Sequence, residues 1–165
     1  MPTAALLVTA SLSGLQVRGT DAFCREHRST GGTFESDRQE VVLCEDNLDR
    51  LAINRSEVVR HELLHALQHR LKGGENLLPM GVLEPLIRHL LPDEETMAVL
   101  MLYPDVEKDS ELEARLLSRM LPNGAIAALL LATGSSVSGT SGADGSDQTV
   151  ATPGTDGPSR RSLSR

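Results

Sequence analysis

Residues 54–73 read NRSEVVRHELLHALQHRLKG, and this stretch decides the fold. Asn54 is a residue type that caps helices, and Glu57 follows three positions later, as in a capping box. Apolar residues then recur at every third or fourth position until Gly73, a residue type that ends helices. The stretch therefore predicts an amphipathic helix over about residues 54–70, and the rest of the fold should pack around it.

An H-E-x-x-H motif lies within this predicted helix, formed by His61, Glu62 and His65. Four residues make just over one turn, so both imidazoles project from one face and can reach a single ion. Zinc suits two neutral imidazoles and a carboxylate with one position left open. The motif therefore predicts a Zn²⁺ cofactor with His61 and His65 as metal ligands and Glu62 as the catalytic base that takes a proton from metal-activated water. The alternative is that two histidines fell four apart by chance on an amphipathic helix.

A third ligand is expected from a later element, and the segment SELEARLL at residues 110–117 is the best place to look. On a helical wheel Glu113 lies among leucines on the apolar face, whereas Glu111 shares its side with Arg115. A carboxylate centred on an apolar face needs a partner. Glu113 is therefore predicted as the third metal ligand, with Glu111 as the alternative. Two other interpretations stay open, a capping box of Glu113 with Ser110 and a solvated first turn that holds both acids.

Three further histidines are predicted not to bind this ion. His69 continues the row of His61 and His65, but it lies two turns, about 11 Å, from His61 and is assigned to the rim or the surface. His27 and His89 are isolated in the sequence and are read as ordinary polar residues.

The remaining pattern indicates an α+β fold that is mostly helical, with a small sheet near the N-terminus. Residues 4–17 give a weak strand or helix pattern, and residues 20–33 read as a loop and a turn. The best strand candidate is Glu40–Cys44. Prolines separate the later helical segments, which are Leu77–Leu91, Glu94–Leu102, Glu107–Met120 and Ala125–Leu131.

Composition divides the chain into one domain, residues 1–133, and a tail, residues 134–165. The tail consists almost entirely of Ser, Gly, Thr, Asp and Pro. It has too little apolar surface to offset the entropy of ordering it, and we expect it to be disordered.

The charge and hydropathy of the chain restrict the kinds of partner that it can have. The net charge is -7 and the acidic residues are spread along the chain, which gives nucleic acid no electrostatic basis for binding. No apolar run approaches the roughly 20 residues of a transmembrane helix. The first ten residues lack the basic start of a secretory signal. Cys24 and Cys44 are compatible with one disulfide, with two buried thiols or with free thiols.

The sequence resembles a known family over about residues 23–70. The similar segments are Gly31-Gly32-Thr33-Phe34, then EVVLCEDN at residues 40–47, then VRHELLHA at residues 59–66. They resemble the mitochondrial inner-membrane metalloproteases that mature an ATP synthase subunit and assist its assembly, and related HExxH proteins of bacteria and algae. The later E-L-E-A segment looks more like the third-ligand helix of other gluzincins.

The resemblance implies a zincin-like metallopeptidase domain, with His61 and His65 as metal ligands, Glu62 as catalytic residue, and Cys24 and Cys44 as two of the family's cysteines. It implies a protein or peptide substrate. It also hints at a mitochondrial location on the intermembrane-space side of the inner membrane, with peripheral membrane association implied by the resemblance alone. In zincins an edge strand before the active-site helix pairs with extended substrate, so the Val41–Cys44 strand is either that edge or an interior strand.

The function predicted from these observations is a zinc-dependent metallopeptidase, an endopeptidase that hydrolyses peptide bonds. The alternative is a non-catalytic metal-binding scaffold or assembly factor on the same fold, which would bind a partner protein through the apolar helices between residues 77 and 102. A zinc hydrolase that acts on something other than a peptide is a third interpretation.

Overall fold

The computed structural model describes residues 1–134, which form eight helices and a three-stranded sheet. The predicted α+β class, mostly helical with a small sheet near the N-terminus, is confirmed. The elements are α1 Thr3–Leu12, β1 Gln16–Arg18, α2 Ala22–Glu26, β2 Gly32–Glu35, β3 Glu40–Leu43, α3 Glu45–Leu51, α4 Arg55–Lys72, α5 Met80–Leu90, α6 Asp93–Leu102, α7 Asp105–Met120 and α8 Asn123–Gly134.

Helix α4 is the centre of the fold. Its N-terminus is capped by Asn54, whose side chain accepts a hydrogen bond from the Ser56 amide at 2.9 Å. It ends at Gly73, which adopts φ 67°. The sheet, α1, α7 and α8 all pack against α4. The main core is therefore built on its apolar side chains, chiefly Val59, Leu63, Leu64, Ala66 and Leu67, all of which are fully buried.

Strand β3 is the middle strand of the sheet. It pairs with β1 in parallel and with β2 in antiparallel orientation, and all four of its residues are buried. Its one charged residue, Glu40, accepts a hydrogen bond from Arg18 at 2.7 Å. The interpretation of Val41–Cys44 as an edge strand is therefore wrong, because both sides of this strand are occupied by other strands. The strand with an unpaired side next to α4 is β2.

Helices α5 and α6 form a second layer, which packs against α7 and shares a small core with it. Helix α7 lies between this layer and α4, so its buried residues are spread around most of its circumference. The sequence predicts a single apolar face for residues 110–117, but other helices cover this segment on two sides.

The predicted elements differ from the observed ones mainly near the N-terminus. The weak pattern at residues 4–17 resolves into α1 and β1, and the predicted loop at residues 20–33 contains α2 and the start of β2. The later helices occur in the predicted order. Except for Gly134, which is the last residue of α8, the predicted tail lies outside the described residues.

A disulfide joins Cys24 to Cys44 and ties α2 to the end of β3. Beside it, the Asn47 side-chain amide donates to the carbonyls of Cys24, His27 and Thr30 at 2.9–3.1 Å. Together the bridge and Asn47 hold the connection between α2 and β2. No helix within residues 1–134 combines the length and the hydropathy that a membrane span requires.

Candidate metal centre and cleft

Helices α4 and α7 bring three side chains together: His61, His65 and Glu111. The two imidazole Nε2 atoms are 3.1 Å apart. One carboxylate oxygen of Glu111 lies 3.4 Å from Nε2 of His61, and the other lies 3.2 Å from Nε2 of His65. Among residues 1–134, these three form the group whose ligand atoms could share one metal ion.

The donor set fits zinc in both chemistry and spacing. Two imidazole nitrogens and one carboxylate are the donors of many catalytic zinc sites. Three ligand atoms at tetrahedral angles and about 2.0–2.1 Å from one ion stand about 3.3 Å apart. The two imidazole nitrogens are 3.1 Å apart, close to that value, and each has one oxygen of Glu111, a different one in each case, at 3.4 or 3.2 Å.

The prediction that Glu113 completes this cluster is wrong, and the alternative, Glu111, occupies the place. Glu113 accepts hydrogen bonds from the Gln68 side chain at 2.8 Å and from the Leu77 and Leu78 amides at 2.8 and 2.7 Å. The argument that a buried carboxylate needs a partner was sound. The partners of Glu113 are amide groups of α4 and of the chain that follows it.

Electrostatics couple the members of the cluster in the absence of any cation. Burial would raise the pKa of Glu111, but hydrogen bonds from His61 and His65 outweigh burial and hold its pKa well below the usual value. For His65, burial would lower the pKa, but the hydrogen bond to Glu111 and the charge of Glu62 raise it overall. The carboxylate therefore stays charged and attracts positive charge to the point where the three side chains meet.

Glu62 lies beside this cluster and is 6 % exposed. Burial raises its pKa, against the opposing effect of the two histidines. Among the described residues its carboxylate has no hydrogen-bond or ion-pair partner. It lines a cleft together with His61, so its unpartnered oxygens face the space that a ligand would occupy.

The cleft has a volume of about 380 Å³ and opens on the side of His61 and Glu62. One wall is formed by residues 29–32, which lead into β2 and include its first residue. The other wall is made by side chains of α6 and α7 and by Tyr103, which lies in the connection between these helices. Arg115 on this second wall donates to Glu111 from Nε at 2.9 Å. Burial and the charge of Glu111 raise the pKa of Tyr103, so its hydroxyl keeps its proton and can donate.

Sequence reasoning missed Tyr103, Arg115 and Gln68 as members of the site. Two of them carried a local signal. Arg115 is four residues after Glu111, and Gln68 is three residues after His65, and both spacings bring side chains together on a helix. Tyr103 lies between two helices and carried no such signal.

The other histidines lie away from the centre. The His69 ring packs near Phe34 of β2, with ring centroids 6.0 Å apart, and the His27 ring lies tilted against Phe23 with centroids 4.4 Å apart. Within residues 1–134, neither these two nor His89 belongs to a group that could hold a metal ion.

Comparison of this chain with protein-family models, with curated proteins and with solved structures finds no match.

Proposed function

We propose that this protein is a zinc-dependent peptidase that cleaves peptide bonds with metal-activated water. The observation that carries the proposal is the position of Glu62. It is a buried carboxylate without a hydrogen-bond partner among the described residues, next in sequence to one of three clustered donors, and it faces a cleft. A scaffold that merely held a metal ion would have no use for such a group, which is costly to bury.

The three donors would hold the ion, with His61 and His65 on α4 and Glu111 on α7. A bound zinc ion supplies Lewis-acid activation of water and polarises a substrate carbonyl. Glu62 accepts the proton of the attacking water and returns it to the leaving amine. The burial that raises the pKa of Glu62 suits this role, because a base is most effective when its pKa approaches the working pH.

Two features of the cleft favour an extended peptide as the substrate. Strand β2 has an unpaired side, and the residues that lead into it, together with Gly32, form a wall of the cleft. A peptide could add to this edge as a further strand and place its scissile bond near Glu62. On the opposite wall Tyr103 and Arg115 offer hydrogen-bond donors to the substrate.

The Cys24–Cys44 disulfide bears on the compartment. Disulfides persist in oxidising compartments and are rare in reducing ones. We therefore propose that the protein works in an oxidising compartment. The intermembrane-space side of the mitochondrial inner membrane, which the sequence resemblance implies, is a location of this kind.

A second candidate function, a scaffold that binds a partner protein, is favoured by one observation. The end of α6 and the start of α7 expose large apolar side chains, with Met101 at 78 %, Leu102 at 76 % and Val106 at 90 %. Apolar groups concentrated in this way mark interaction surfaces. The surface is compatible with either function, since a peptidase also binds proteins.

The deciding experiment measures zinc content and peptide hydrolysis on the same preparations. Wild type, Glu62→Gln and the matched control Glu75→Gln are purified, zinc is determined by mass spectrometry, and cleavage of casein and of a peptide library is followed. Glu75 is exposed and lies outside the cleft. We expect one zinc per chain in all three proteins and a loss of about 100- to 10,000-fold in kcat for Glu62→Gln alone.

Two outcomes would count against the peptidase. Zinc binding without any cleavage that depends on Glu62 would favour the scaffold. Absence of zinc from wild type after loading would remove both the metal centre and the mechanism.

A further inference from the structure

A buried chain of hydrogen bonds links α7 to one of the two imidazoles. Nδ1 of His65 lies 2.9 Å from Oε1 of Gln68, and Nε2 of Gln68 donates to Oε2 of Glu113 at 2.8 Å. The same Nε2 donates to the Ser110 carbonyl at 2.9 Å. Gln68 is 1 % exposed and Glu113 is 0 % exposed, so water does not replace these contacts.

The direction of every bond in this chain is fixed by Glu113. All three of its contacts are N–H donors, two from the backbone amides of Leu77 and Leu78 and one from Gln68. Glu113 therefore accepts throughout, as a carboxylate does. Gln68 must turn its amide nitrogen toward Glu113 and the Ser110 carbonyl, since the reverse orientation would set its oxygen against two acceptors.

The oxygen of Gln68 consequently faces His65 and can only accept. Nδ1 of His65 must then carry a proton, and in the neutral imidazole the lone pair lies on Nε2. Nε2 is the atom that faces His61 and Glu111. A metal ligand needs its lone pair at this position.

We propose that Gln68 and Glu113 are positioning residues that fix the tautomer and the ring orientation of His65, so that Nε2 is presented to the metal. The proposal rests on the proposed function only where it concerns the metal; the tautomer itself is a property of the protein without zinc. Among the described residues, none contacts Nδ1 of His61 in the way that Gln68 contacts Nδ1 of His65. The hydrogen-bond and ion-pair contacts of His61 are all made by Nε2. The hydrogen bonds through Gln68 and Glu113 thus orient His65 and not His61.

This arrangement also explains why a charge is buried so deeply. An ion buried without a ligand role is costly unless its hydrogen-bonding capacity is filled. Three donors fill that of Glu113, two of them from the backbone between α4 and α5. Glu113 therefore connects the position of α7 and of that segment to the His65 ring.

The first test reads the tautomer directly. Long-range ¹H–¹⁵N spectra distinguish Nδ1–H from Nε2–H for His65 at alkaline pH, where the imidazole is neutral. They are recorded on metal-free Glu111→Ala protein, which lacks the carboxylate that competes for a proton on Nε2. In this background we expect the Nδ1–H form when Gln68 is present and a mixture of forms with Gln68→Met, which keeps the length of the side chain without its polar atoms. An Nε2–H form with Gln68 present would overturn the proposal, whether or not the wild-type protein binds zinc.

The second test measures zinc affinity by competition with a chelator. Gln68→Met and Glu113→Gln should each weaken zinc binding by about 10- to 100-fold, the usual effect of removing a group that orients a ligand. The double variant should bind zinc no more weakly than Gln68→Met alone, because the two residues act in series.

Asn47→Ala is the matched control for general loss of structure. It removes a buried amide that donates to three carbonyls outside the metal centre. Its thermal stability should fall while its zinc affinity stays within about twofold of wild type. Wild-type zinc affinity in Gln68→Met would refute the positioning role, and failure of wild type itself to bind zinc would count against the proposed function but leave the tautomer result to be judged alone.

Discussion

Removal of the Cys24–Cys44 disulfide should destabilise the protein by an amount that follows from the length of the loop it closes. The two cysteines are separated by 20 residues in sequence. Closing a loop of this length lowers the entropy of the unfolded chain by about 11 cal/mol/K, which at 25 °C corresponds to about 3 kcal/mol of stability. The double variant Cys24→Ala with Cys44→Ala should lose about this much.

The loss is large relative to the total stability of an ordinary domain, about 5–15 kcal/mol. It should lower the melting temperature by about 10 °C. Asn47 is expected to hold the connection between α2 and β2 in the folded variant, since its three hydrogen bonds do not involve sulfur. Zinc binding should therefore survive, because the three donors lie on α4 and α7.

Urea unfolding at 25 °C, followed by far-ultraviolet circular dichroism, measures the free energy of unfolding of wild type and of the double variant. The matched control is the same titration with a reductant, which should lower the stability of wild type to that of the variant and leave the variant unchanged. A loss below about 1 kcal/mol would refute the reasoning. It would mean that the unfolded chain is already restricted between these residues or that the bridge strains the native fold.

The remaining predictions concern the metal centre and the wall of the cleft. Glu111→Gln should weaken zinc binding by about 100-fold or more, whereas the same change at the exposed Glu107 should leave it unchanged, both measured by chelator competition. Gly32→Ala should cost about 1–3 kcal/mol in urea unfolding, because the new Cβ would lie 2.9 Å from a backbone carbonyl of β3; Gly81→Ala, with nothing within 4 Å, should be neutral or stabilising. Zinc affinity should fall with decreasing pH, and because the pKa of His65 is raised the decline should begin above the pH expected for an ordinary imidazole, about 6.5. Titrations between about pH 6 and 8 that show no decline until below pH 6.5 would contradict this last expectation.

The parts of the fold that sequence predicted well are those with local causes. Helix α4 can be predicted from the Asn54 cap, the apolar spacing and the glycine at its end. All three signals lie within the helix or directly beside it. The pair His61 and His65 follows from the same spacing. Each of these features depends on residues no more than one or two turns apart, so no knowledge of the rest of the chain was needed.

The sheet could be predicted only in part, because its pairing depends on residues that are far apart in the sequence. Strands β1 and β2 are three and four residues long, too short for an alternating pattern to be recognised. Strand β3 was recognised, but its place in the middle of the sheet depends on partners more than twenty residues away in the case of β1. Glu40 is a buried charge within this middle strand, and only the distant Arg18 makes its burial tolerable.

The prediction of Glu113 as the metal ligand, where the structure places Glu111, has a more specific cause. A helical wheel assumes that a helix has one buried face, whereas α7 is covered by α4 on one side and by α5 and α6 on the other. Both carboxylates are therefore buried, at 4 % and 0 % exposure, and each needs a partner. The information that separates them lies on α4 rather than α7. Gln68, three residues after His65, can accept from the imidazole only if its own amide nitrogen finds an acceptor elsewhere, and a carboxylate that meets this need is no longer available to the metal. Two ligands on α4 together with a buried glutamine on the same helix thus call for two acidic residues on the partner helix, one for the ion and one for the amide.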